Sequence, residues 1–429
     1  MAFILVVNPY VPGQVKQDKV MNMGVLTVAS ALADEVDVKI VDHYSNPTRS
    51  ISEWFDTDTQ VVAFSCSGAE SYYTSLIEAR KIKLGYPDKV ILMGGQHISG
   101  LFQSGILPVN EVAVDCFTPG PGEISIGKIV NAVKKREKIP KVVLGEDPRK
   151  IYSLNYSLYP DWKNLIPCVE IGRGCNHSCN FCNSENMRKI SRYICRDVSE
   201  VDREVKTIVD YYGDDTDIFL FGSIFGENTR QTATVLNDLY EFAPRAKYTF
   251  NLRTDCQWEK FIDPLEKLKI RSVFFGMESA SKSILKKMNK SRNPEHYIER
   301  SKMAIKKFSE ENIPFFTSFI LGYWGENQDT INETKCFIYK NRDCLRAIGV
   351  NRFYIYPGTY DFDNVQELSH VYGCKIQYLD ELQLYSILRQ RDFTGEEIEK
   401  ICRSIEIDCN DPDYYEKDSA DSWWNKIYW

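Results

Sequence analysis

Apolar residues fall in short runs separated by longer stretches of helical spacing from the first residues onward. Phe3–Val7, Val36–Val41, Val61–Ser65, Val90–Met93 and Val112–Phe117 are rich in β-branched residues and bounded by turn formers, the signature of strands buried on both faces. Met21–Leu32, Ser71–Lys83 and Glu123–Lys135 between and after them carry the spacing of amphipathic helices. This β-α order over residues 1–135 predicts a doubly wound sheet with helices on both faces. Ligands of such sheets bind beyond the C-terminal strand ends. Those ends carry Asn8-Pro9-Tyr10, Ser65-Cys66-Ser67-Gly68, Gly94-Gly95-Gln96-His97 and Gly120-Pro121-Gly122-Glu123. Glycines such as Gly94, Gly95, Gly120 and Gly122 let a backbone approach a ligand closely.

Residues 136–167 read as a linker, with prolines at 140, 148, 160 and 167. A second alternation follows, with apolar runs at Cys168–Ile171, Ile218–Phe221, Tyr248–Leu252, Ser272–Phe275, Phe315–Leu321 and Arg352–Tyr356. Helical patterns near 198–212, 230–243, 257–267, 296–310 and 328–341 separate them. Six β-α units in series predict a partial (β/α)6 barrel over 168–365, open on one side. The tail, 366–429, is expected to be helical first and then irregular.

Composition narrows the function classes. The 429 residues are 43% hydrophobic and 26% charged, which is ordinary globular usage. No apolar run approaches the roughly 20 residues of a membrane span, and the N-terminal run lacks the basic flank of a secretory signal. The net charge of −7 argues against broad nucleic-acid binding. From Asp392 to Trp429 there are eleven acidic and four basic residues, a solvated acidic end or a docking surface. Thirteen cysteines without a signal point to a reducing, cytoplasmic setting.

Three of those cysteines are tightly spaced, in Glu170-Ile-Gly-Arg-Gly-Cys175-Asn-His-Ser-Cys179-Asn-Phe-Cys182. Three thiolates in one loop after a strand can hold one face of an iron–sulfur cluster, which takes cysteine ligands. Zinc is the rival, but a structural zinc takes four closed ligands, and only His177 is at hand to complete them. Cys-x3-Cys-x2-Cys with the aromatic Phe181 before the last cysteine resembles the radical SAM superfamily. That resemblance implies that Cys175, Cys179 and Cys182 hold a [4Fe–4S] cluster and that S-adenosylmethionine (SAM) binds its open iron. Cleavage of SAM would then yield a 5′-deoxyadenosyl radical.

Further segments resemble the same family. Phe275-Gly276-Met277-Glu278-Ser279 with Leu285-Lys-Lys-Met-Asn-Lys290 is similar to a fourth-strand "G-x-E-S … L-x-x-M-x-K" stretch. Glu278 and Ser279 would there face the SAM methionine or ribose. Gly322-Tyr-Trp-Gly-Glu326 resembles a "G-x-P-G-E" turn, and Tyr356-Pro-Gly-Thr359 a "P-G-T" turn. Gly222 and Ser223 lie where a second strand carries a small-residue SAM site, without the usual acid beside Gly222. Arg253 matches a third-strand "R-x-D". By the resemblance Phe181, Gly222, Ser223, Arg253, Glu278, Ser279 and Gly322 are the SAM residues.

The first domain is similar to the cobalamin-binding domain that precedes the barrel in one radical SAM class. Gly94, Gly95, Gly120 and Gly122 would then contact cobalamin. The Asp-x-His-x-x-Gly signature of histidine-ligated cobalt is absent, and His43 and His97 are the only histidines at hand. Cobalamin binding therefore stays open. The first functional reading is hydrogen abstraction from a substrate, with a peptide from ribosomal natural-product maturation preferred over a small molecule. Cys336, Cys344 and Cys374 are the candidate hydrogen donors. The alternative is cobalamin-dependent methylation of an unactivated carbon of a small natural product, and a remote one is a non-catalytic Fe–S protein. Methylthiolation of tRNA is set aside, because the first domain has only Cys66 and Cys116 for a second cluster and the chain ends acidic. The family implies an external electron donor such as flavodoxin or ferredoxin. The aromatic end, Trp423 to Trp429, would pack back or meet a protein partner.

Overall fold

The computed structural model describes residues 3–11, 20–146, 152–183, 193–222, 224–345 and 347–410. Ser223 and the aromatic end lie outside the described residues. In the first domain, β1 (Ile4–Asn8), β2 (Val38–Asp42), β3 (Val61–Ser65), β4 (Val90–Gly94) and β5 (Cys116–Thr118) are parallel in the order β2-β1-β3-β4-β5. The helices are α1 (Met23–Leu32), α2 (Ala69–Gly85), α3 (Gln96–Gln103) and α4 (Gly122–Lys134). Strand alternation sorts the core. Ile4 and Val6 pack with α1 and α4, in a core that continues into the second domain. Leu5 and Val7 pack with α2 and α3. Each buried aliphatic contributes about 1.5–3 kcal/mol, and a one-residue slip would exchange the two sets.

The second sheet holds β6 (Cys168–Glu170), then, past a two-residue ribbon of β7 (Gly172–Arg173) and β8 (Ile194–Cys195), the strands β9 (Asp217–Phe221), β10 (Lys247–Leu252), β11 (Lys269–Glu278), β12 (Phe315–Leu321) and β13 (Ile348–Arg352). Its order is β13-β12-β11-β10-β9-β6, with every pairing parallel. Helices α5 (Val198–Tyr212), α6 (Thr229–Phe242), α7 (Ile262–Lys267), α8 (Lys282–Lys287), α9 (Pro294–Glu310) and α10 (Gln328–Lys340) connect the strands. The chain then forms β14 (Tyr354–Ile355), α11 (Tyr360–Asp363), α12 (Val365–Tyr372), β15 (Lys375–Leu379), β16 (Leu384–Arg389) and α13 (Gly395–Cys409). Among the described residues no helix is long and apolar enough to cross a membrane.

Besides the fifth strand, which is Cys116–Thr118 where Val112–Phe117 was expected, three elements differ from the sequence reading. The sixth barrel strand is Ile348–Arg352, not Arg352–Tyr356, because Gly349 interrupts its apolar run. A Cβ there would stand 2.6 Å from the Phe316 ring. Residues 375–389 form an antiparallel pair, joined by β14 into a three-stranded sheet, where helix and irregular chain were expected. Helix α13 then covers the β13 edge. Thr394 and Glu397 cap its start reciprocally. At its end Asn410 Oδ1 accepts from the Ile348 N–H at 2.8 Å, and Glu406 Oε1 accepts from Val350 at 2.8 Å. Unpaired edge groups are thereby satisfied by side chains.

Helix α3 is the third difference. Gly100 weakens its helical pattern, and the fold requires that glycine: a Cβ would stand 2.4 Å from the Pro357 carbonyl oxygen. Ser104 completes this domain contact, accepting from the Gly358 N–H at 2.9 Å and donating to Asp363 at 2.6 Å. Gly100→Ala should gain about 1 kcal/mol of helix propensity yet lose about 1–3 kcal/mol to overlap. Chemical denaturation should show a lower midpoint; an unchanged or raised one would mean that the domains are not in this contact.

Candidate functional site around the cysteine loop

Strand β6 delivers the loop directly. Cys175 and Cys179 are buried and Cys182 is half-buried. The loop is stitched to the segment after α8: Asn180 donates from its backbone to the Met288 carbonyl and from its side chain to that of Lys287, both at 2.9 Å. Asn289 returns a bond to the Ser178 carbonyl at 2.6 Å. The "L-x-x-M-x-K" stretch is thus the floor of the cysteine loop. Phe181 anchors it from the other side, packing against a cluster that contains Ile284, Met288, Tyr323 and Trp324.

The thiols share one space. Burial first, then the neighbouring Cys182, Glu227 and Cys179, push Cys175 up to about 11. Among the described residues no three His, Cys, Asp or Glu side chains converge on a single ion. His177, the fourth ligand a zinc reading needs, gives its backbone N–H to Cys175 Sγ at 3.4 Å, while its ring turns to Glu227 at 3.3 Å. Three thiols without a fourth ligand suit the separate corners of a cluster better than a closed zinc shell.

Around the thiols stand three held cations. Arg173, two residues before Cys175, bonds Glu170 of β6 through two nitrogens at 2.8 Å and Glu123 of α4 at 2.6 Å. Arg253 is forked on Asp255 at 2.8 and 3.0 Å, with Nη1 3.8 Å from Cys179 Sγ. Lys290 bonds Glu278 at 2.9 Å, both buried; burial opposes the ammonium charge, and Glu278 together with Tyr297 and Cys179 more than offsets it.

Glu278 is aimed by a bulge. The β11–β12 register shifts between Gly276 and Glu278, and Glu278 has φ 67°, a strained value for a residue with a side chain. Gly276 makes room: its Cβ would fall 2.7 Å from Glu278 Oε1. Ser279, the other residue expected beside SAM, follows directly on the bulge. It is wholly buried, 3.2 Å from Thr334 Oγ1, and accepts from the Ser281 N–H at 3.1 Å, so it braces α10.

Other expected residues have local duties. Gly222 lies against Ile171, where a Cβ would come within 3.0 Å. Gly322 gives its N–H to Glu326 and packs beneath Ile398 of α13. In the first domain a Cβ on Gly94 would meet Thr118, on Gly95 the Cys66 carbonyl, and on Gly122 Val28, while Gly120 donates to Ser99 Oγ. His43 lies 2.9 Å from the Arg49 carbonyl, and buried His97, beside Tyr72, is pushed down to about 4 by burial.

A cleft of about 250 Å³ open to solvent flanks the loop, lined in part by Gly172, Tyr193, Glu227, Asn228 and Gln231. None of the three candidate hydrogen donors lines it. Cys336 is exposed on α10, Cys344 packs on the main core, and Cys374 packs near Tyr372. Cys195 stands behind the cleft wall, donating to Gln231 and accepting from Asn228 at 3.7 Å. Glu227 was also unforeseen. Its only signal is an acid after Gly226, five residues past Gly222, and its partner His177 is fifty residues away.

Two stability tests follow from this geometry. Lys290→Met leaves Glu278 buried without its cation and should cost about 3–5 kcal/mol. Adding Glu278→Gln should restore most of that in denaturant titrations, and a double variant no better than the single would dissolve the pair. Glu326, buried, is raised from the ordinary 4.5 to about 7 by burial. The folded chain therefore holds this proton more tightly than the unfolded one, so stability falls as pH rises between those values and is level above them. The contribution is up to about 3 kcal/mol. Glu326→Gln should flatten that fall in melting temperature between about pH 4.5 and 7; a profile parallel to the wild type would count against the burial.

Comparison with known proteins agrees with this geometry. Residues 169–338 match the Radical SAM superfamily. An uncharacterized methyltransferase of Pyrococcus horikoshii is 24% identical over 416 residues, covering 90% of this chain and 86% of its own. The radical S-adenosylmethionine methyltransferase TsrM from Kitasatospora setae, solved with cobalamin and a [4Fe-4S] cluster bound, superposes at TM-score 0.70 and 14% identity over 96% of this chain and 90% of its own. The cobalamin-dependent S-adenosylmethionine radical enzyme OxsB, solved with aqua-cobalamin and S-adenosylmethionine, does so at 0.72 and 14%, over 94% of this chain and 66% of its own. At such identities the structural likeness is one of fold, and it spans both domains. Residues 169–338 are a radical SAM domain, and the chain as a whole shares the two-domain fold of these cobalamin-bound enzymes, an α/β domain ahead of the barrel.

Proposed function

We propose that this radical SAM enzyme is a cobalamin-dependent methyltransferase acting on an unactivated carbon of a small natural product. One observation carries the reading: the C-terminal strand ends of the first sheet close over the cysteine loop. Gln96 donates to Asn183, one residue past Cys182, at 2.6 Å, and Glu123 meets Arg173 at 2.6 Å. A group carried on those strand ends is presented toward the thiols. The kinship with a methyltransferase along 90% of the chain supports the same outcome.

Cys175, Cys179 and Cys182 would hold the [4Fe–4S] cluster, which supplies the electron that splits SAM, while cobalamin supplies a methyl carrier. The chain's part is placement. Glu278 and Lys290, turned toward Cys179 by the β11 bulge, form a fixed charged pair beside the SAM position. Phe181 shields the loop from water. His43 is spoken for by Arg49 and His97 is buried beside Tyr72, so cobalamin would be held without a protein imidazole. An external flavodoxin or ferredoxin would supply electrons.

This reverses the order in which the sequence alone ranks the two outcomes. That ranking leaned on the short tail after the barrel and the missing histidine signature, and that tail folds into a three-stranded sheet and α13 along the β13 edge. The test is anaerobic reconstitution with iron, sulfide and hydroxocobalamin, desalting, and incubation with methyl-labelled SAM and a strong reductant, which takes the cobalt to the Co(I) that accepts a methyl cation and supplies the cluster's electron. Retained cobalamin that acquires the label, with S-adenosylhomocysteine formed, is expected. A cluster without retained cobalamin, giving 5′-deoxyadenosine alone, would return the assignment to hydrogen abstraction.

A further inference from the structure

The three cysteines have unequal surroundings. Cys175 meets the His177 N–H and the negative Glu227, whereas Cys179 faces Arg253 and Lys290. Arg253 follows β10 and is 5% exposed. Its orientation leaves little freedom. Asp255 takes Nε at 2.8 Å and Nη2 at 3.0 Å, the Lys290 carbonyl takes Nη2 again at 2.8 Å, and the Tyr297 ring lies 5.7 Å from Cζ. What remains is Nη1, and it points at Cys179 Sγ from 3.8 Å. The resemblance had given Arg253 to SAM; the structure commits its donors to an acid, a carbonyl and a sulfur.

We propose that Arg253 is a positioning residue for the cluster's redox poise, giving a charge-assisted N–H···S bond to the Cys179 thiolate and making reduction easier. The inference rests on the cluster reading above. Hydrogen bonds to the ligand sulfurs and nearby charge are among the determinants of iron–sulfur potentials. A cation held at one sulfur stabilises the form with the extra electron, which an outside one-electron donor supplies. Asp255 and Lys290 fix the fork in advance, so the guanidinium need not reorganise when that electron arrives. Lysine, with one nitrogen, has no fork to satisfy Asp255 and the sulfur together.

The test is the midpoint potential of the reconstituted cluster, read by electron paramagnetic resonance during dithionite titration, in wild type, Arg253→Lys, Arg253→Met and Arg253→Met/Asp255→Asn. The double variant leaves no unpaired carboxylate if the single one fails to fold. Every variant that carries its four irons is expected below the wild-type midpoint, the Met variants further than Lys. A loaded variant at the wild-type midpoint overturns the proposal. Failure of all three to load, with circular dichroism unchanged, also overturns it and makes Arg253 an assembly residue. A wild-type protein that takes up no cluster fails the cluster reading instead.

Discussion

One half-buried guanidinium, that of Arg173, ties the architecture together. It answers two carboxylates at once, Glu170 on the first barrel strand and Glu123 on the first helical turn of α4. Burial opposes its charge, and the two acids more than offset that. At an effective dielectric near 20, opposite charges about 4 Å apart gain roughly 4 kcal/mol, and removing one partner of such a pair costs about 3–5 kcal/mol. Here removal would strand two acids. Since Arg173 stands two residues before Cys175, the constraint that docks the domains also sets where the cysteine loop begins.

The surrounding contacts depend on that setting. With Glu123 and Gln96 held against the loop, α3 is pressed so close to the Pro357 turn that only glycine fits at position 100. That turn continues into α11, whose Asp361 N–H reaches the Asn180 carbonyl at 3.2 Å. The loop is therefore gripped by the first domain, by the Met288 segment and by the C-terminal extension, each through backbone or amide groups of fixed geometry. A loop held from three sides keeps its thiols in place without a bound group to organise them.

Legibility in the sequence follows from how local the physics is. The first four strands of the first domain read closely because burial on both faces makes continuous apolar runs, as in Val61–Ser65, whereas the fifth starts only at Cys116, past the exposed Val112. The cysteine loop read from spacing alone. The sixth barrel strand and α3 were obscured by Gly349 and Gly100, whose reasons are a phenyl ring and a carbonyl far away in sequence. The bond between Ser279 and Thr334 was not legible either, since it follows from the bulge at Glu278 and joins residues 55 apart. Arg253 and Glu227 were visible only as letters; their partners, a sulfur and an imidazole, are settled by the fold.

Charge near the thiols is sorted and held. Arg173, Arg253 and Lys290 each have at least one dedicated carboxylate. By contrast, Glu326, Asp361 and Glu406, on the side of the C-terminal extension, are all pushed up to about 7 by burial. Paired cations cannot swing away, and their field at the loop is paid for at folding instead of at each turnover. The pairing also limits that field, because every cation brings an acid with it. What distinguishes Arg253 is direction: its acid takes two nitrogens on one edge and leaves the third aimed at sulfur. Geometry, more than net charge, therefore decides which of the three thiols feels a cation.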